Sequence, residues 1–136
     1  MTPADYDAVY ALWDGTPGVG MNDLDDSRES IARYITRNPT SCFLAQEDGN
    51  VVGAVLAGHD GRRGLIYHMT VKEAYRRRGV GKALAEAALA ALKAEGITKV
   101  LLVVMKANDT GNSFWASLGF TQREDLVYRN KSIIEY

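Results

Sequence analysis

The stretch from residue 65 to residue 105 constrains the fold more than any other. Residues 65–71 read as a strand. Val80, Leu84, Ala88 and Leu92 then recur every four residues in a helix predicted over 80–95, with Gly96 ending it. Residues 98–105 are apolar and rich in β-branched side chains, as a buried strand requires. A strand, a long helix and a second buried strand in succession call for a sheet with helices packed against it.

The flanks complete the pattern. Thr2-Pro3-Ala4-Asp5 combines a capping hydroxyl, a first-turn proline and an acid at the positive helix end, and predicts a helix start. Tyr6, Val9, Leu12 and Trp13 follow at helical spacing until Gly15. A loop over 15–24 leads to a second helix predicted over 27–37, with Ile31, Tyr34 and Ile35 on one face and Asn38-Pro39 at its end. Residues 41–46 and 51–57, joined by Glu47-Asp48-Gly49-Asn50, read as an antiparallel hairpin. A short helix is predicted over 109–118, ended by Gly119, and the last sixteen residues alternate weakly, as an edge strand or hairpin would. The order ααβββαβαβ predicts one α/β domain with a mixed central sheet over residues 1–136.

Composition removes several functions. Sixteen basic against seventeen acidic residues leave a net charge of -1, without the basic excess that a nucleic-acid coat needs. The longest strictly apolar runs, such as 100–105, are far shorter than the roughly 20 residues that span a bilayer. The single cysteine, Cys42, cannot make an internal disulfide or a zinc cluster, and residues 1–7 carry no apolar leader. These features predict a soluble, cytoplasmic protein with no nucleic-acid partner, no membrane attachment and no metal.

The chemistry concentrates in Tyr75-Arg76-Arg77-Arg78-Gly79-Val80-Gly81-Lys82-Ala83, between the third strand and the long helix. Glycines there let the N–H groups of residues 78–82 converge, and the helix dipole, three arginines and Lys82 add positive potential. This predicts a phosphate or pyrophosphate site. It is not a P-loop, because Arg76 stands where the first glycine is required and Ala83 where Ser or Thr would hold magnesium. Nor is it a dinucleotide fingerprint, because Leu84 replaces the third glycine and no acid follows about 20 residues on.

The pattern Arg76-x-x-Gly79-x-Gly81 after a strand ending in Val71 resembles the acetyl-CoA signature of the GNAT superfamily of N-acetyltransferases. Asn108, seven residues before Trp115 and followed by Leu118-Gly119-Phe120, resembles that superfamily's second element. The likeness spans nearly the whole chain. It implies that Arg76, Arg77, Arg78, Gly79, Val80, Gly81, Lys82 and Ala83 hold the CoA pyrophosphate. It also implies that Met69, Thr70 and Val71 run along the pantetheine arm and that Asn108 and Trp115 approach it from the neighbouring strand and helix. The Met69 N–H would face the thioester carbonyl, where it stabilises a developing oxyanion. Acetyl-CoA is the implied cosubstrate and a primary amine the implied acceptor, acylated by direct attack.

Two positions depart from the superfamily's pattern. A base is often found on the strand before the loop, on the face of Met69 and Val71; strict alternation puts Leu65 and Tyr67 there and His68 on the other face. Tyr67 is then the candidate for positioning a proton-accepting water, a base from the loop before Ser27 is the alternative, and His68 reads as a core or sheet histidine. Trp115 stands where relatives carry a tyrosine acid, and Tyr128 is a candidate replacement. The acids Asp23, Asp25, Asp26 and Glu29, with Asn22, either cap helices or attract a cationic amine. The superfamily's usual first strand has no counterpart before Thr2, so either the sheet lacks that strand or the chain's true start lies further upstream. A strand edge so exposed is one that a second copy would cover in a homodimer. Two other readings stay open: a module that holds acyl-CoA without turnover, and an enzyme like those that acetylate ribosomal-protein N-termini.

Overall fold

Thr2 opens the first helical segment in the computed structural model, which describes residues 1–134. Its main-chain N–H donates to the Asp5 carboxylate at 2.7 Å. The first turn, Pro3–Asp5, is a tighter 3-10 turn, and α1 (Tyr6–Asp14) follows with Val9, Leu12 and Trp13 buried. In α2 (Arg28–Arg37) the Ser27 hydroxyl accepts the Ser30 N–H at 3.2 Å, and Ile31 and Ile35 are buried. Asn38 ends α2 and ties it to the sheet: its amide donates to the Tyr34 carbonyl and its Oδ1 accepts the His59 N–H at 3.1 Å. A Cβ at Gly58 would lie 2.5 Å from that Asn38 side chain, so the approach requires glycine.

The sheet holds β1 (Phe43–Glu47), β2 (Asn50–His59), β3 (Gly64–Val71) and β4 (Val100–Leu101), in that spatial order. The first three pair antiparallel, and β3 pairs with β4 in parallel. Asp48 and Gly49 both take positive φ, 51° and 80°, which is the turn that matches strand twist in a two-residue hairpin. On one face, α3 (Val80–Ala94) buries Leu84, Ala85, Ala88 and Leu92. A Cβ at Gly53 would meet Leu84 and Val80 there, and one at Gly64 would meet Leu92. On the other face Val9, Leu12 and Trp13 of α1, with Ile31 and Ile35 of α2, pack with Cys42, Ala54 and Leu56. Helices cover both faces of a mixed sheet.

Three features differ from the sequence expectation. Only Val100 and Leu101 find a ladder partner, so β4 is far shorter than the predicted 98–105. No strand forms over residues 121–134, where Leu126, Val127, Tyr128 and Ile133 stay exposed, so the observed order is ααβββαβα among the described residues. Third, β3 does not alternate strictly. Ala54 pairs with Thr70 and Leu56 with Tyr67, so three steps on β3 oppose two on β2. One extra residue is accommodated in a bulge, and His68 there has φ +47°.

The chain forms two compact units, Met1–Leu102 and Val103–Tyr136. The first carries the sheet, α1, α2 and α3. The second carries α4 (Asp109–Ser117), whose Trp115 is buried with its ring edge-on to Phe114 and Phe120.

Candidate active site

The loop from β3 to α3 is built from backbone. Arg77 and Gly79 both have left-handed φ, 63° and 81°. The first helical bond of α3 is Ala83 N–H to the Gly79 carbonyl at 3.0 Å, which leaves the N–H groups of Val80, Gly81 and Lys82 without helical acceptors. Alternating left-handed residues before a helix N-terminus make a concave array of donors suited to an anion. Arg76 Nε donates to the Val71 carbonyl at 3.1 Å and ties the loop to the end of β3. The Arg78 guanidinium lies over the Tyr75 ring at 5.2 Å, and Lys82 pairs at 3.9 Å with Glu86 on the exposed face of α3.

Beyond its pair with Leu101, β3 runs on to Val71 with no strand on its outer edge among the described residues. The Lys72 N–H donates to the Val52 carbonyl of β2 at 2.8 Å. Successive N–H groups alternate in direction along a strand, so that of Val71, next to Lys72 and beyond the bulge, points to the open edge.

The bulge overturns the predicted sharing of faces. Val71 pairs with Gly53 and so belongs to the α3 face, whereas Tyr67 pairs with Leu56 and belongs to the α1–α2 face. The Tyr67 ring meets that of Tyr34 at 5.9 Å, and buried Thr70 donates its hydroxyl to the His68 carbonyl at 3.1 Å. His68 does not turn away from Tyr67. Its ring stands edge-on to Trp13 of α1, with centroids 4.9 Å apart, and its Nε2 is 2.7 Å from Asp26 Oδ1.

Asp26 is 6% exposed and fully engaged. Its second carboxylate oxygen accepts the Asn22 N–H at 2.7 Å, and its carbonyl accepts the Tyr6 hydroxyl at 2.7 Å. Burial, the largest cause, and the neighbouring Tyr10 raise the Tyr6 phenol above its ordinary value, which keeps it a donor. Asp26 also lines an open pocket of about 290 Å³, together with Tyr6, Tyr10, Asn22, Asp23 and Arg28. Arg28 is already committed, paired with Asp7 and lying over the Tyr6 ring.

The acids read as one group in the sequence thus divide: Asp26 is a buried organiser, and Asp23 and Asp25 remain exposed. In the second unit, Asn108 caps α4 by accepting the Gly111 N–H at 2.9 Å, and the Tyr128 hydroxyl accepts from Asn130. Sequence reasoning missed the contact between His68 and Asp26. The expectation of a base from the loop before Ser27 came nearest to it, but no spacing rule links residues 42 apart.

Residues 6–120, which include the open-edged strand, the left-handed cap and the helix N-terminus after it, match the acetyltransferase (GNAT) family. The chain belongs to that family and is an acetyltransferase. It is 30% identical over 131 residues to acetyltransferase SG1711 of Sodalis glossinidius, covering 96% of this chain and 91% of that protein. Among solved structures, the PaiA N-acetyltransferase of Thermoplasma acidophilum, in complex with coenzyme A, superposes with a TM-score of 0.78 at 18% identity, covering 91% of this chain and 88% of that one. An aminoglycoside acetyltransferase from a soil metagenomic sample, in complex with sisomicin, gives 0.75 at 18% identity over 98% and 93% of the two chains. No helix among the described residues is long and apolar enough to cross a membrane.

Proposed function

We propose that this protein moves the acetyl group of acetyl-CoA to a primary amine by direct attack, with no covalent enzyme intermediate. One observation carries the reading: free amides at the start of α3, capped by left-handed Gly79, lie at the end of a strand with an open edge. Acetyl-CoA supplies an activated acyl group as a thioester, on a long polar arm ending in a diphosphate. The donor set fits both parts. The amides of Val80, Gly81 and Lys82, with Arg76, Arg77 and Arg78 around them, suit the diphosphate. The outward N–H of Val71 suits an extended amide-bearing arm, and the Met69 N–H is our candidate donor to the thioester oxygen. Tyr67, half-exposed on the α1–α2 face, is our candidate for positioning a water near the acceptor. Asn108 and Trp115 keep the roles that the family resemblance implies.

For the acceptor, the pocket at α1 and the following loop offers Asp23 and Asp26 beside two tyrosine rings, a lining that attracts a cationic amine. The sisomicin complex of a structural neighbour is in keeping with this. The test is calorimetric titration with acetyl-CoA, followed by a free-thiol assay against aminoglycosides, polyamines and peptides with free N-termini. Thiol release with at least one amine is expected. Binding without release for every amine would favour a holding module, and failure to bind would overturn the reading.

A further inference from the structure

We infer that His68, held by Asp26, is the group that takes the proton from the acceptor amine; this rests on the amine-acetylation reading above. The contact spans the two halves of the proposed reaction. Asp26 lines the pocket assigned to the amine, and His68 precedes Met69, whose N–H is assigned to the thioester oxygen. Asp26 Oδ1 lies on Nε2, so a carboxylate there holds the ring proton on Nε2 and leaves the lone pair on Nδ1. The edge-on Trp13 ring fixes the plane of the imidazole. The backbone at His68 is left-handed, a conformation unfavourable for a non-glycine residue that persists only where its surroundings impose it.

Few other charges bear on the ring. From α1 come Trp13 against the ring and the Tyr6 hydroxyl on the Asp26 carbonyl. Arg28 of α2 is occupied by Asp7, and Asp23 lies in the pocket. Among the described residues, Asp26 is the one charged group within hydrogen-bond distance of the imidazole.

The ammonium form of the acceptor loses one proton to His68 Nδ1, and the resulting imidazolium is stabilised by the Asp26 carboxylate. The amine lone pair forms a C–N bond to the acetyl carbon. The C–S bond breaks with its electron pair on sulfur, and the second nitrogen proton ends on the thiolate. His68 returns its proton to solvent.

The experiment compares wild type with His68→Gln and Asp26→Asn, using acetyl-CoA and whichever amine of the panel above releases thiol. His68→Gln is expected to lower kcat by about 10²–10⁴-fold while acetyl-CoA affinity stays unchanged. The wild-type rate should fall as pH drops and a histidine protonates, and the variant should lack that limb. Nitrogen NMR of the labelled wild-type ring, with and without bound CoA, supplies a readout independent of turnover. It should show the neutral ring protonated on Nε2, with Nδ1 carrying the lone pair. Wild-type kcat and an unchanged pH limb in folded His68→Gln, or a neutral ring protonated on Nδ1, would overturn the assignment. If the glutamine variant does not fold, His68→Asn and the wild-type NMR decide. Wild-type protein that binds acetyl-CoA but acetylates no amine would instead overturn the amine-acetylation reading itself.

Discussion

The loop after β3 and the contact between Asp26 and β3 are both polar, yet they are built from different parts of the chain. From Arg77 to Lys82 the donors are main-chain N–H groups, the surface is open, and left-handed φ values hold the shape. Around Asp26 a buried side chain gathers the partners: its carboxylate takes the Asn22 N–H from the loop and the His68 ring from β3, it is nearly sealed, and both its oxygens are engaged. A backbone site tolerates most side-chain changes but depends on its glycines. A buried side-chain site depends on every member, because removing one strands the others away from water.

The largest test of that contrast is Gly79→Glu. A side chain at φ +81° is strained, and under the proposed function it sets a carboxylate beside the diphosphate, so CoA affinity should fall by about 100-fold or more. Calorimetry on a variant with wild-type circular dichroism checks this, and retained affinity would remove the loop from the site. Next is Asp26→Ala, which strands the Asn22 N–H and the His68 ring and should cost about 2–3 kcal/mol in urea unfolding.

Arg78→Ala sharpens the comparison from the other side. Its guanidinium is exposed and stacked on Tyr75, so stability should change by less than about 0.5 kcal/mol. CoA affinity should drop roughly fivefold, an effect that added salt erases. A salt-insensitive loss would mean that Arg78 acts by packing.

The smallest effect belongs to Tyr34→Phe. The Tyr34 hydroxyl is buried with no hydrogen-bond partner among the described residues, and burial raises its pKa; burial raises the Cys42 thiol as well. Folded pKa values above the unfolded ones favour the folded state while both groups are protonated. That stability is lost as pH climbs past the ordinary 9.0 of the thiol and 10.0 of the phenol. Tyr34→Phe should therefore flatten the alkaline limb of a melting-temperature profile and gain up to about 1 kcal/mol near neutrality. An equally steep limb would assign alkaline unfolding to other groups.

What could be read from the sequence was local. The Ser27 cap, the Asp48-Gly49 turn, the four-residue period of α3 and the glycine at 79 each act through neighbours within a few residues. The faces of β3 could not be read that way. The bulge arises from the pairing of β3 with β2, and one extra residue was enough to separate Tyr67 from Val71 and bring His68 to the α1–α2 side. The length of β4 likewise depended on which residues found a partner across the ladder.

The sequence by itself therefore determined the α/β architecture, the glycine cap before α3 and the family, because capping, periodicity and glycine φ are short-range properties. Only the tertiary structure decided that Asp26 meets His68 across 42 residues, and that Trp13 packs against the same ring. Such a contact is set by strand register and by the packing of α1 and α2 on the sheet, and neither leaves a mark in residue spacing.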